Sequence, residues 1–406
     1  MHISRHDIVI VGGGLVGASL AIALDRSGVD VGMVEATPPG TLPPVFDERN
    51  LSFAAATVNA LTALGVMQKL QTPPAPIRRI HVSRNGDFGR VRLDAADYGR
   101  EAFGQVVVAR AFGDALEARL GALSRLTRYR PARFIGIDDA GVDHRAIRID
   151  DDASCGTRRI EARLLVAADG TRSGIRDALG IAIDQHDYAQ TLLIARIRAQ
   201  RAPDGTAYER FGNDGPTALL PRGDRHFGVI HGVHRDDADA AMQAPDSEWL
   251  TRLQSAFGWR VGKLLASGPR SAYPATRVIA ARTTAERAVL IGNAAQTIHP
   301  IGAQGFNLGL RDALTLAELI EQRGGDPGDA ALLDAYVERR RQDRARTLAF
   351  SDGLARVTSS DVPLLRPLRS LGLMAADAMS SAQAMLVGGA MGYRADVPAL
   401  CREVVQ

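Results

Sequence analysis

The chain has 406 residues, 46% of them hydrophobic and 23% charged, which is enough for sizeable cores in two domains and excludes global disorder. Its formal net charge is +3, yet the basic residues are scattered arginines and only 5% of the chain is aromatic. That pattern argues against a nucleic-acid binder, which would carry a basic stripe interleaved with stacking aromatics.

Asp7 to Val11 is a continuous apolar run, as expected of a parallel strand covered on both faces. Leu15 to Arg26 then follows helical spacing, and Val29 to Val34 reads as a second buried strand ending at Glu35. Phe53 to Leu64 reads as another helix, and Gln71 to Pro76 is a break. Ile80 to Ser83 and Gly89 to Leu93 alternate like antiparallel strands around the turn Asn85-Gly86. Val106 to Val108 and the helical Ala115 to Leu123 return to the buried-strand style of the N-terminus. Leu164 to Ala168 forms a further buried strand, closed by Asp169-Gly170. Between Tyr188 and Tyr273 the pattern alternates again, for example over Thr191 to Arg198 and Ala218 to Pro221. Ala288 to Ile291 is a last short buried strand, Phe306 to Gln322 is an amphipathic helix, and the remainder is helical. The expected fold class is α/β: a Rossmann-like nucleotide domain interrupted by a mostly antiparallel β-sheet domain, with a helical C-terminal tail. The expected boundaries are 1–72, 106–187 and 275–350 for the first domain, 73–105 and 188–274 for the second, and 351–406 for the tail.

Cys155 and Cys401 have no metal-ligand spacing, so no metal is expected, and such sparse cysteine suits a reducing compartment. His231 and His234 lack a third ligand in the sequence around them. Met1 to Arg5 leads straight into a strand, and no run approaches the ~18 apolar residues of a membrane span. The expected location is therefore cytoplasmic. Val362 to Met374 and the more uniformly apolar Ala384 to Met391 leave room for peripheral contact with the inner face of a membrane, or with a multi-enzyme complex.

Gly12-Gly-Gly14-Leu-Val-Gly17 lies between a strand and a helix and fits G-x-G-x-x-G. Gly12 permits the tight turn, Gly14 lets a pyrophosphate approach the backbone, and Gly17 lets the helix pack closely. The helix N-terminus offers free N–H groups to the phosphates. Glu35, 21 residues after Gly14, stands where a carboxylate can accept both hydrogen bonds of a ribose diol. This fingerprint alone leaves NAD and FAD both open. Two later segments separate them: Asp169-Gly-Thr-Arg-Ser-Gly-Ile-Arg176, and Gly292-Asn293 followed by His299-Pro-Ile-Gly-Ala-Gln-Gly-Phe-Asn-Leu-Gly-Leu-Arg-Asp312. With them the chain resembles the group A FAD-dependent aromatic hydroxylases, and among them the hydroxylases of ubiquinone biosynthesis. The stretch Gly292 to Asp312 looks most like the 2-polyprenyl-6-methoxyphenol hydroxylase branch. Tyr208 to Phe211, Gly215-Pro216 and Leu219 to Pro221 extend the likeness into the second domain.

The resemblance implies FAD as cofactor, NAD(P)H as co-substrate, and O₂ added to an electron-rich, polyprenylated phenol through a flavin C4a-hydroperoxide. It implies that Gly12, Gly14, Gly17 and Glu35 hold the ADP half of FAD, with Arg49, Arg110, Asp169 and Gly170 as further contacts. Gly292 and Asn293 match the ribityl contact, and Pro300, Gly305, Phe306 and Asn307 the border of the isoalloxazine. A helix starting near Asn307 would aim unpaired N–H groups at the negative charge of reduced flavin. Two positions depart from the family pattern. Asn293 replaces the usual Asp, and Ala303 replaces a usual Gly, which would strain the backbone if φ is positive there. No catalytic residue, and no general base for the phenol, is named by the sequence, and Arg311 and Asp312 read as helix and surface polar groups. Leu219 and Leu220 are candidates to line a tail-sized pocket. The alternatives are a monooxygenase of small soluble phenols, a related reductase or halogenase, a NAD-dependent dehydrogenase, and a noncatalytic FAD-binding assembly subunit. Against the halogenase, Lys69 and Lys263 are the only lysines and neither sits in a suggestive motif.

Overall fold

In the computed structural model, the described residues are 3–44, 46–138, 141–151, 156–359, 365–393 and 396–402. The strand Ile3–Val11 lies at the centre of a mainly parallel sheet. Val31–Val34 and then Leu126–Tyr129 flank it on one side, and Gly156–Ala167 and then Ala288–Leu290 on the other. Its side chains alternate between two cores. Ile8 and Ile10 pack with the helices Leu15–Leu24, Ala109–Leu120 and Gln304–Arg323, whereas Val9 and Val11 pack under an antiparallel meander of Ala132–Ile137 and Arg145–Asp151. Both faces are covered, which is why the strand reads as an unbroken apolar run. Because the chain passes to opposite sides of the central strand, a crevice opens at its carboxyl end, beside Gly12.

A nine-stranded, almost wholly antiparallel sheet forms the second layer. The hairpin Arg79–Arg84 and Arg90–Asp94 supplies one edge, and Ile183–Ala199, Thr206–Phe211, Pro216–Pro221, Phe227–His234 and Ser271–Ala280 supply the body. Its outer face holds a core of Leu193, Leu219, Val229, Trp249 and Phe257. The C-terminal helices Leu365–Ala378 and Ser380–Met391 lie on the hairpin edge, where Val387 and Met391 meet Val91, Leu93 and Phe103. Cys155 and residues 362–364 of the apolar C-terminal segment lie outside the described residues.

Two expectations need correction. Gly104–Val108 does not join the parallel sheet. It pairs antiparallel with Asn50–Ala54 and Ala75–Ile77 in a separate three-stranded sheet between the two layers, and an apolar run cannot reveal which partner strand it finds. Arg311 and Asp312, which read as surface polar groups of a helix, are 3% and 2% exposed. Their partners are Arg340 and Asp343, one turn apart on the helix Ala330–Ser359. Arg311 donates to both oxygens of Asp343 (2.6 and 3.1 Å), and Arg340 bridges Asp312 and Asp343 (2.8 Å each). Burial works to raise the Asp343 carboxyl, but the guanidiniums of Arg311 and Arg340 outweigh it and hold it below the ordinary carboxylate value of 3.8.

Removing one member of such a cluster leaves a buried charge uncompensated. Asp343→Ala should therefore cost about 3–5 kcal/mol in denaturant unfolding. Because the folded carboxyl is depressed, its contribution is present above the ordinary 3.8 and is lost as pH falls through the lower folded value. The wild type should lose stability in that acid range more steeply than Asp343→Ala, and parallel pH profiles would refute the assignment.

Candidate active site

The crevice at the end of the central strand is built by close backbone approach. Gly12 has φ +108°, and a Cβ there would lie 2.4 Å from the carbonyl oxygen of Ala168. A Cβ on Gly17 would lie 1.9 Å from the carbonyl oxygen of Gly12, so the helix can seat on its own turn only with glycine here. Gly14 caps that helix with no side-chain hydrogen bond, which leaves N–H groups of the first turn facing the crevice. Glu35 is 8% exposed, and its carboxylate accepts from the N–H of Gly13 (2.7 Å) and of Thr37 (2.8 Å). Two of roughly four acceptor positions remain for a diol.

Asp169 and Gly170 follow the neighbouring strand. Asp169 Oδ2 accepts from the N–H of Ile175 at 3.2 Å, while Oδ1 is buried without a partner. Burial pushes this carboxyl up. An orphaned buried oxygen beside a glycine-built crevice is what a polar cofactor would satisfy. Gly170 has φ +85° with open space around it, so it is conformation that favours glycine there. Gly292 has φ +58° and touches both the first helix and the long one. A Cβ on it would meet Val16 at 3.0 Å, and one on Gly309 would meet Val16 at 2.9 Å and the Gly292 Cα at 3.0 Å. Gly309 is a site residue the sequence reading missed, although it recurs at helical spacing from Gly305. Asn293 is exposed at the rim.

Arg49 and Arg110 meet on a different loop, through backbone hydrogen bonds of Ala109 to Arg49 and Arg110 to Asp47 (2.9 Å each). Arg49 is engaged by both oxygens of Asp47 (2.8 and 2.9 Å) and stacks over Tyr273 at 4.1 Å. Burial works to raise the Asp47 carboxyl, but hydrogen bonds from Arg49 and Tyr273 outweigh it and keep it low. Arg110 is half-exposed and pairs with Glu48 at 3.1 Å. The side-chain contacts of the two arginines run to Asp47, Tyr273 and Glu48.

The third part is the turn Pro300 to Ala303, which leads into the helix Gln304–Arg323. Gly302 and Ala303 both have positive φ, +71° and +51°, and Ala303 caps the helix without a side-chain hydrogen bond. Asn307 is 2% exposed and fully used. Its Oδ1 accepts from the N–H of Ala54 (3.0 Å) and Thr57 Oγ1 (2.7 Å), and its Nδ2 donates to the carbonyls of Ser52 (3.0 Å) and Ala303 (2.9 Å). Its side chain thus clamps the helix start to the strand after Arg49, and only its backbone can face a ligand. Phe306 packs its ring against Phe53 and Phe112. His299 is 1% exposed, and burial drops its imidazole to about 4. Its Nδ1 accepts from the N–H of Ile301 and Nε2 faces Gln190 Oε1, so it orients the turn as a neutral ring. His231 bonds Thr217 at 2.8 Å and packs on Trp249, among core residues.

Two substitutions test this geometry. Gly14 has φ −71° and ψ −166°, which any residue adopts, so Gly14→Val should fold normally yet purify without yellow flavin colour. Wild-type FAD stoichiometry in that variant would refute the crevice as the pyrophosphate site. Ala303→Gly should relieve a left-handed alanine and raise unfolding stability by up to about 1 kcal/mol. Unchanged or reduced stability would show that the turn carries no strain.

The FAD binding domain family matches residues 5–351 of this chain. Ubiquinone hydroxylase UbiL of Rhodospirillum rubrum is 33% identical over 394 residues, covering 95% of this chain and 89% of that protein. The 3-demethoxyubiquinol 3-hydroxylase of Escherichia coli is 31% identical over 385 residues, covering 91% and 94%. The fold is that of p-nitrophenol 4-monooxygenase PnpA from Pseudomonas putida, with a TM-score of 0.79 at 18% identity over 98% of this chain and 100% of that one. This chain therefore belongs to the FAD-dependent hydroxylases of ubiquinone biosynthesis.

Proposed function

We propose that this chain hydroxylates the aromatic ring of a polyprenyl phenol in ubiquinone biosynthesis, using NAD(P)H and O₂. The observation that carries the reading is the inner face of the nine-stranded sheet. Register places Ile80, Val82, Ala218, Ile230 and Ile194 on one face, all only half-buried. That face looks toward the three-stranded sheet, because a Cβ on Gly228 of the same face would collide with Asn50. A wall of partly exposed aliphatics suits a long hydrocarbon tail. Leu219, one of the two pocket candidates, points the other way into the core with Trp249, and its neighbour Leu220 packs with Ala75 and Val106. Adjacent strand residues cannot share a face.

Gly12, Gly14, Gly17, Glu35, Asp169 and Gly170 would hold the ADP half of FAD, and Gly292 and Asn293 the ribityl chain. Arg49 and Arg110 would border the cofactor from the opposite loop. Pro300, Gly305, Phe306 and Asn307 would present backbone and the uncapped helix N-terminus to the isoalloxazine. Reduced FAD, when bound, supplies the activation of O₂. The chain supplies orientation of the phenol, exclusion of water by the aliphatic wall, and the positive helix end. The corresponding division of the chain is 1–72, 106–187 and 275–350 for cofactor, 73–105 and 188–274 for substrate, and 351–406 for the tail. Leu371, Met374, Met379 and Met385 are exposed on the C-terminal helices, and we take them as the surface that meets the membrane holding such a substrate. Among the described residues, no helix is long and apolar enough to cross a membrane.

The chain should restore ubiquinone to a strain blocked at the methoxyphenol stage, with ¹⁸O from O₂ and not from water in the new hydroxyl group. Failure to complement, together with good hydroxylation of a small soluble phenol, would retain the enzyme class and reject the polyprenyl substrate.

A further inference from the structure

The aliphatic wall contains one carboxylate. Glu209 lies in the strand Thr206–Phe211, and alternation puts it on the inner face with Ala207 and Phe211. Ala207 packs with Ala75, Ile77 and Val106, and Phe211 with Ile301 and Tyr188, so the position between them looks from the wall toward the turn before the long helix. Its strand neighbours on the two sides are Ala218 and Val82, both apolar. The backbone N–H of Gly302, in the left-handed turn that starts the helix at Gln304, lies near enough to favour its ionised form. The group thus sits between the aliphatic wall and the backbone that would border the isoalloxazine.

We propose that Glu209 is the general base that takes the proton from the substrate's ring hydroxyl. The inference rests on the phenol-hydroxylase reading above. In the step, the phenol O–H bond breaks, its electron pair stays on the phenolate oxygen, and the proton forms an O–H bond on a Glu209 carboxylate oxygen, from which it later passes to solvent. No oxidant or reductant enters the transfer. The electron pair left on the oxygen makes the ring a better nucleophile toward an electrophilic oxygen.

Burial pushes the Glu209 carboxyl up from 4.5 to about 7, and the hydrogen bond from Gly302 opposes this only in part. That moves the acceptor toward a phenol's ordinary value of ~10 while leaving about half of it ionised at neutral pH and most of it by pH 8. The charged or titratable groups on the surrounding elements are otherwise engaged. Arg84, on the adjacent strand, donates to Asn213 Oδ1 and to the carbonyl of Asn85. Asp352, on the helix behind the turn, accepts from the Tyr188 hydroxyl, and His299 holds its own turn as a neutral ring. None of them contributes to the Glu209 shift, whose causes are burial and the Gly302 N–H. The competing role is a simple clamp on Gly302, which glutamine would perform equally well.

The holoenzyme separates the two roles with Glu209→Gln and Glu209→Asp. Without substrate, a raised folded carboxyl costs stability progressively as pH rises from 4.5 through about 7. The wild type should therefore lose stability relative to Glu209→Gln across that window. With 2-allyl-6-methoxyphenol as a soluble probe, the wild-type rate of product formation should rise along an acid limb near pH 7. Glu209→Gln should lose the limb and fall about 100-fold or more at pH 8 with unchanged flavin content, and Glu209→Asp should keep the limb at a reduced rate. Retention of both rate and limb by Glu209→Gln would overturn the proposal. A fall in rate with the limb still present would show that the limb belongs to another group, and would overturn it equally. If the wild type hydroxylates no phenol at any pH, the hydroxylase reading itself fails, a result distinct from either.

Discussion

The carboxylate of Asp312 is the point on which the crevice around Gly292 hangs. Its Oδ1 faces Arg340 at 2.8 Å, and its Oδ2 accepts from the N–H of Gly292 (3.2 Å) and from Gln296 Nε2 (2.6 Å). One buried anion thereby ties the long helix, the loop after the last parallel strand and the helix Ala330–Ser359. A charge this deep is tolerable only because Arg340, itself shared with Asp343 and through it with Arg311, neutralises it. The cluster does not touch a ligand. It fixes where the long helix begins and how closely Gly309 approaches Gly292, and both of those decide the shape of the crevice.

Much of the nucleotide half was legible because its constraints are local. An apolar run covered on two faces, a turn that must have φ +108° at Gly12, and a helix that must seat on that turn at Gly17 each leave a trace in consecutive residues. The likeness of Gly292 to Asp312 to known hydroxylases carried the rest of the cofactor assignment. What was not legible depends on partners distant in sequence. Asp312 reads as a helix surface residue until Arg340 is placed beside it, 28 residues later. Val106 looks like a parallel-sheet strand until Asn50–Ala54 takes it into a small antiparallel sheet. The four side-chain hydrogen bonds of Asn307, to Ser52, Ala54, Thr57 and Ala303, could not be read from its motif either. Glu209 carried no signal, since a lone Glu in a Tyr-Glu-Arg-Phe strand reads as an outward polar residue until the sheet's inner face is known.

The electrostatics of the site follow from what is left out as much as from what is present. Neither Gly14 nor Ala303 caps its helix with a side chain, although a Ser, Thr, Asp or Asn at either position would satisfy a free N–H and stabilise the isolated helix by roughly 1 kcal/mol. A capping oxygen would also place a competing acceptor where an anionic group must bind. In the proposed reading the first helix end would face the pyrophosphate and the second the charge of reduced flavin. The uncapped ends are thus consistent with ligand binding, and less so with a pair of merely packed helices.

In the proposed reading the turn Pro300 to Ala303 would serve both halves of the reaction. Its left-handed pair, Gly302 and Ala303, sets the direction of the helix that would stabilise the flavin, and the N–H of Gly302 favours the ionised Glu209 on the nine-stranded sheet. A side chain that must hold a proton in an aliphatic wall needs at least one polar partner, or its ionised form would be too costly. A backbone N–H meets that need without adding a positive charge, which would drive the carboxyl back down and weaken it as a base. On the proposed assignments, the same turn would serve as the positive boundary on the cofactor side and as a neutral donor on the substrate side. A lysine or arginine at the end of this strap could not do both, because a full charge would act on flavin and carboxylate alike.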